Sequence, residues 1–172
     1  GGGLNKYNPE DGSFTYFQTN DTMPGSLQSD YINDIVLDAN QTLWIATEGG
    51  GLSRMDLPDE EIITYRHSST DDSTIPSDKI SCLYLDHENR LWLGDQNGFL
   101  AEYTPGEDRF RRYHCCAKNA KLSKTRIFDI TQDWENNLVV ATNGAGLIIF
   151  NPNQQTSKGF LHTSNHLESP IS

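Results

Sequence analysis

The sequence predicts an all-β chain of repeated four-stranded antiparallel sheets, and two observations carry that prediction. The first is an echo: "LWIAT" at Leu43–Thr47 returns as "LWLGD" at Leu91–Asp95 and as "LVVAT" at Leu138–Thr142, so the three leucines stand 48 and then 47 residues apart. Self-similarity at a fixed period marks a repeat architecture. The second is texture. Turn residues cut each repeat roughly every 8 to 14 positions, and the runs between them are rich in Ile, Val, Leu, Trp, Tyr and Phe, as strands require. No stretch keeps helical periodicity for three turns.

The surroundings of the echo recur in step. Asp38, Asp86 and Asp133 precede the motifs by five positions, and Ile35, Leu83 and Ile130 stand three places before the aspartates. Glycine links follow, "GGGL" at Gly49–Leu52, "NGFL" at Asn97–Leu100 and "GAGL" at Gly144–Leu147, and the chain itself opens "GGGL". Leu4, Leu52, Leu100 and Leu147 therefore form one column, and Tyr7, Met55, Tyr103 and Phe150 another.

In the first complete repeat, strand A is read at Ile32–Leu37, B at Thr42–Thr47, C at Gly51–Met55 and D at Ile62–Arg66. The A–B links "DANQ", "DHENR" and "DWENN" are turns, because Asp and Asn side chains bond to nearby backbone and tolerate left-handed conformations. Four antiparallel strands per period of about 48 residues make β-propeller blades, which bury against one another what a single sheet cannot. The expected organisation is strands C–D of one blade over 1–19, complete blades over 30–66, 78–114 and 126–163, and the start of another over 164–172. About three and a half blades are too few to close a ring, so the chain reads as a partial propeller.

Composition narrows the function classes. Thirteen Lys and Arg against 24 Asp and Glu give a formal net charge of −11, which argues against bulk nucleic-acid or anionic-membrane binding. The longest apolar runs span only a few residues, far short of a membrane helix. Cys82, Cys115 and Cys116 are too few for a disulfide scaffold and form no CxxC pair, and the adjacent Cys115 and Cys116 read as neighbouring free thiols, with a strained vicinal disulfide as the alternative.

Taken together, the isoleucine strand, the Asp turn, "LWIAT" or "LWLGD", the glycine link and "GL" with a following aromatic resemble the two-component regulator propeller repeat. The resemblance covers almost the whole chain, with Val139 departing from it where the other copies have Trp44 and Trp92. It implies a periplasmic sensor region of an inner-membrane hybrid two-component system, built in that family from seven-bladed propellers that precede a sandwich domain, a membrane helix and a histidine kinase. It also implies recognition of oligosaccharides and control of polysaccharide-utilisation genes, with a possible homodimer of the parent sensor. No kinase, phospho-acceptor or DNA-binding module is written in this chain.

Catalytic and metal patterns do not emerge. His67, His87, His114, His162 and His166 lack ligand spacing, the Asp turns lack a calcium-loop pattern, and there is no GxSxG elbow. No catalytic residue, metal or cofactor is therefore expected. "DLPDEE" at Asp56–Glu61 reads as a solvated turn. Trp44 and Trp92 read as inter-blade packing, whereas Trp134 lies in a turn and reads as a stacking platform or an inter-domain contact.

One charge feature stands against the acidic background: Arg109 to Arg126 holds seven of the 13 basic residues and no acid. It spans a strand D and the D–A link after it, and D–A and B–C links share one face of a propeller. The expected ligand-binding residues are therefore Asp95, Gln96, Asn97, Arg112, His114, Lys118, Lys121, Lys124, Arg126 and Asn143. Paired arginine donors there suit a carboxylate or sulfate on an acidic oligosaccharide. The competing readings are a protein-interaction surface that transmits a signal sensed elsewhere and, ranked last, a propeller lyase.

Overall fold

The computed structural model describes residues 2–114 and 125–160 and the backbone of 170–171. Among them every regular element is a strand. A hairpin comes first, β1 (Leu4–Tyr7) and β2 (Phe14–Phe17). The first complete sheet is β3 (Ile32–Leu37), β4 (Thr42–Thr47), β5 (Leu52–Asp56) and β6 (Glu61–Tyr65). The second is β7 (Ile80–Leu85), β8 (Leu91–Asp95), β9 (Phe99–Thr104) and β10 (Arg109–His114). The third is β11 (Ile127–Gln132), β12 (Leu138–Thr142), β13 (Leu147–Asn151) and β14 (Thr156–Phe160). In each, spatial order equals chain order and neighbours run antiparallel, the up-and-down meander of a propeller blade. The repeated "LWIAT" is the second strand of a blade.

One end departs from the expected layout. The sequence places the start of a following blade at 164–172, but β15 (Pro170–Ile171) pairs antiparallel with β14 as a fifth strand of the third sheet. The outer edge of β14 offers unpaired backbone groups, and an extended segment nearby satisfies them.

The aspartate column has a structural reason. One carboxylate oxygen closes each A–B turn, accepting from Asn40 and Thr42 N–H at Asp38, from Glu88 and Arg90 at Asp86, and from Glu135 and Asn137 at Asp133. The fourth turn residue is left-handed each time, with φ of 64° at Gln41, 59° at Asn89 and 65° at Asn136. In the first two blades the other oxygen accepts the indole N–H of Trp44 at 3.1 Å or Trp92 at 3.0 Å. The third blade has Val139 there, and the Asn137 side-chain amide takes the oxygen instead, at 2.9 Å. The turn needs the aspartate whether or not the tryptophan is present.

Burial follows the gaps between sheets, in three clusters. Leu27, Ile45 and Met55 gather Leu4 and Phe17 of the hairpin onto the first blade. Trp44, Ala46 and Leu52 meet Leu83, Tyr103 and Phe110 between the first and second blades, and Trp92, Leu100 and Tyr113 meet Ile130, Val140 and Phe150 between the second and third. The leucine column measures what is uncovered: Leu52 and Leu100 are 0% exposed, whereas Leu147 is 42% exposed. A further blade against the third would bury it, so the chain is a segment of a larger propeller.

Candidate binding face at the mouth of the ring

The B–C and D–A links meet by a hydrogen bond repeated in every complete blade. The residue after strand B donates its N–H to the carbonyl of the residue before strand A: Glu48 to Tyr31 at 2.9 Å, Gln96 to Lys79 at 3.3 Å and Asn143 to Arg126 at 2.8 Å. Strand A borders strand A of the next blade, and Asp34 on β3 accepts from Leu83 N–H on β7 at 2.8 Å. Glu48, Gln96 and Asn143, with Tyr31, Lys79 and Arg126, therefore ring the inner rim of one propeller face.

Glycine makes the close approach of these links possible. Gly51 sits at φ 80°, and a Cβ there would stand 2.2 Å from the Tyr65 carbonyl oxygen. Its own N–H donates to the Asp78 carbonyl at 2.9 Å, which ties the B–C link to the following D–A link.

At the junction of the first two blades the charged groups of this rim pair with one another. Glu48 accepts from the Asn33 amide at 3.3 Å and from the Gln96 amide, and the Lys79 ammonium lies 3.5 Å away. Burial pushes the Glu48 carboxyl up, but the Asn33, Gln96 and Lys79 donors outweigh it and hold it below the ordinary carboxylate range.

The expected ligand residues divide accordingly. Gln96, Asn97, Arg126 and Asn143 lie on the rim or its links, with Asn97 and Asn143 exposed. Asp95 is 0% exposed. Its carboxylate accepts from Asn97 and Phe99 N–H, both at 2.8 Å, and burial, outweighing these bonds, raises its pKa. It closes the link from within, as the Thr47 and Thr142 hydroxyls do in the neighbouring blades by donating to the Gly51 and Gly146 carbonyls. Arg112 is also engaged inside the fold: Nε donates to the Thr74 carbonyl at 2.6 Å, and Nη2 to the Asp71 carbonyl at 2.9 Å and the Thr74 hydroxyl at 2.6 Å. His114 packs edge-on against Phe99, with centroids 4.5 Å apart. Lys118, Lys121 and Lys124, like Cys115 and Cys116, lie outside the described residues.

Neighbouring arginines of the basic segment engage different partners. Side chains alternate along a strand. Arg111 on β10 lies over the Tyr113 ring, 5.4 Å from its centroid, whereas Arg112 crosses to the 68–74 segment. Sequence reading missed Glu48, Lys79 and Asn33, although Glu48 occupies the same repeat position as Gln96 and Asn143; the column itself was the available signal. Among the described residues no group of His, Cys, Asp and Glu is gathered in a manner that could hold a metal. Cys82 is buried between the second and third blades, and burial, with the nearby Asp34 and Asp129 charges, pushes its thiol up to about 12.

Sheets of this order, packed face to face with polar links gathered at an inner rim, define a β-propeller. The family described as two component regulator propeller matches residues 26–49 and 74–97, and these segments of the first two complete blades are repeats of that family, as the sequence resemblance implied. Among solved structures, the extracellular domain of the putative hybrid two component system BT3049 from B. thetaiotaomicron is similar at 24% identity and TM-score 0.72, over 91% of this chain and 20% of that one. The corresponding domain of BT4673 from the same organism gives 19% identity and TM-score 0.73, over 95% of this chain and 20% of that one. PorZ, a surface component of the type-IX secretion system of Porphyromonas gingivalis, gives 16% identity and TM-score 0.61, over 88% and 23%. At these identities the likeness is one of fold, and the chain spans about a fifth of the first two structures. No curated protein matches it.

Proposed function

We propose that this chain is a non-enzymatic part of the periplasmic sensor of a hybrid two-component system, and that its B–C and D–A face helps recognise an oligosaccharide and regulate polysaccharide utilisation. The parent would be an inner-membrane protein with its histidine kinase outside this segment. The observation that carries the reading is the repeated rim hydrogen bond, which brings one polar side chain after strand B of each complete blade to the same face. Such convergence of polar groups from successive repeats suits a ligand with many hydroxyls. The repeat family and the extracellular domains it resembles in fold support the same class.

Titration calorimetry of the parent propeller with neutral, uronate-containing and sulfated oligosaccharides tests this. Binding by one class, weakened by Asn143→Ala, is expected. No heat from any member overturns the reading.

A further inference from the structure

The two blade junctions place different chemistry at the same repeat positions. At the first, the Glu48 carboxylate gathers three donors: Asn33 from its own blade, and Lys79 and Gln96 from the next. One repeat later these positions are Gln96, Ser81, Arg126 and Asn143, so three donor side chains remain and the carboxylate has become an amide. Gln96 cannot neutralise an arginine, and its own amide nitrogen is engaged by Glu48. The consequence is visible on the donors. Ser81 is only 6% exposed, and its hydroxyl has no hydrogen-bond partner. Arg126 Nε is likewise enclosed and unpaired, and the guanidinium lies over the Phe128 ring, 5.6 Å from its centroid. Orphaned buried donors of this kind are uncommon in folded proteins and call for an explanation.

We propose that the junction of the second and third blades binds an oxyanion, the carboxylate or sulfate of an acidic sugar unit, on Arg126 with Ser81 and Asn143 beside it. The anion takes the place that the Glu48 carboxylate fills one blade earlier. Arginine suits a planar carboxylate or a sulfate because its donors are fixed in a fork. Phe128, 52% exposed, offers an adjoining apolar surface to the sugar ring. This rests on the oligosaccharide reading above and specifies its ligand class.

The test is calorimetry of the full chain with trigalacturonate, its methyl-esterified counterpart, a chondroitin sulfate disaccharide and sodium sulfate. At least one acidic sugar should bind, weakening as salt rises, with the neutral ester at least tenfold weaker. Arg126→Gln should lower affinity at least tenfold. Gln96→Glu should do the same by supplying the missing carboxylate internally, although it also removes the amide donor to Glu48; it serves where Arg126→Gln does not fold. Lys158→Gln, which removes an exposed cation on β14 outside the rim, should change affinity less than threefold. The proposal is overturned if neither acidic sugar binds, if sulfate binds and the sugars do not, if the ester binds equally, or if affinity survives Gln96→Glu. Neutral oligosaccharides that bind the parent propeller equally with and without Arg126→Gln would sink the anion site while leaving the sensor reading intact.

Discussion

The junction between the first and second blades and the junction between the second and third are built on the same columns and finished with different chemistry. In both, a tryptophan anchored to a turn aspartate lies between sheets, at Trp44 with Asp38 and at Trp92 with Asp86. Midway along strand B they part. The first has Ala46; the second has Gly94, where a Cβ would stand 2.6 Å from a methyl carbon of Ile127 and 2.8 Å from Cys82 Sγ. Nearer the outer strands, Tyr65 and Tyr103 both donate to one Asp108 oxygen at 2.6 Å in the first junction. In the second, Phe150 stands in the Tyr103 column without a hydroxyl, and Tyr113 donates to Glu102 at 2.9 Å. Apolar columns are shared because stacking sheets demands them, while polar layers drift because each needs only its own partners. Function is therefore to be sought where the polar layers differ.

The anchor shared by both junctions gives the largest expected effect. Trp92 is 0% exposed, and Trp92→Ala should cost about 3–5 kcal/mol in urea denaturation, as removal of a buried aromatic does. Val139→Ala, in the same column on the partly uncovered third blade, should cost clearly less. Equal losses would mean that Val139 is covered as Trp92 is. Asp86→Ala should follow Trp92→Ala in direction, since it frees the turn N–H groups, the indole and Arg90 Nε together.

The middle layer comes next. Gly94→Ala must move Ile127 or Cys82, and overpacking of this kind costs about 1–3 kcal/mol. The double variant Gly94→Ala with Cys82→Ala should recover part of the loss by vacating the thiol's space. A Gly94→Ala variant as stable as the parent would show that the junctions are interchangeable in this layer.

Asp108 separates the junctions by pH. Hydrogen bonds from Tyr103 and Tyr65, assisted by Arg54, hold its carboxyl below the ordinary carboxylate range against a small opposing effect of burial. A depressed folded-state pKa stabilises fully above the unfolded value and fades as pH falls through the folded one. Stability should therefore decline below about pH 4, and Asp108→Asn should flatten part of that decline in thermal scans between pH 2 and 5. Because Asp108 is largely exposed, the effect should be modest and should shrink in salt. Tyr103→Phe, which gives the first junction the residue of the second, should flatten it less.

How much of this was legible follows from what each residue answers to. The strands of the first blade lay within a residue of their expected places, because Leu43, Trp44 and the Asp38 turn obey local rules that repeat. The shared face of the B–C and D–A links followed from topology alone. Arg112 and Asp95 look available in the sequence because charge there carries no partner, and only the fold brings the 68–74 segment onto Arg112 and closes the 95–99 turn over Asp95. The Glu48 cluster escaped for the opposite reason. A single acid in an acidic chain draws no notice until Lys79, Asn33 and Gln96 converge on it.

The smallest effect is expected at Trp134, and its smallness is informative. Trp134 is 91% exposed in the third A–B turn, where Ala39 and His87 stand in the other two, so the turn itself does not require an aromatic. Trp134→Ala should change stability by no more than about 0.5 kcal/mol, and emission should blue-shift, since Trp44 and Trp92 are buried. Strand β12 separates this turn from the rim at Asn143, and five residues of strand span about 17 Å. A sugar held at Arg126 should therefore bind Trp134→Ala unchanged. If affinity fell with that substitution, the ligand would reach the opposite face, and the difference between the two junctions at Glu48 and Gln96 would no longer account for recognition.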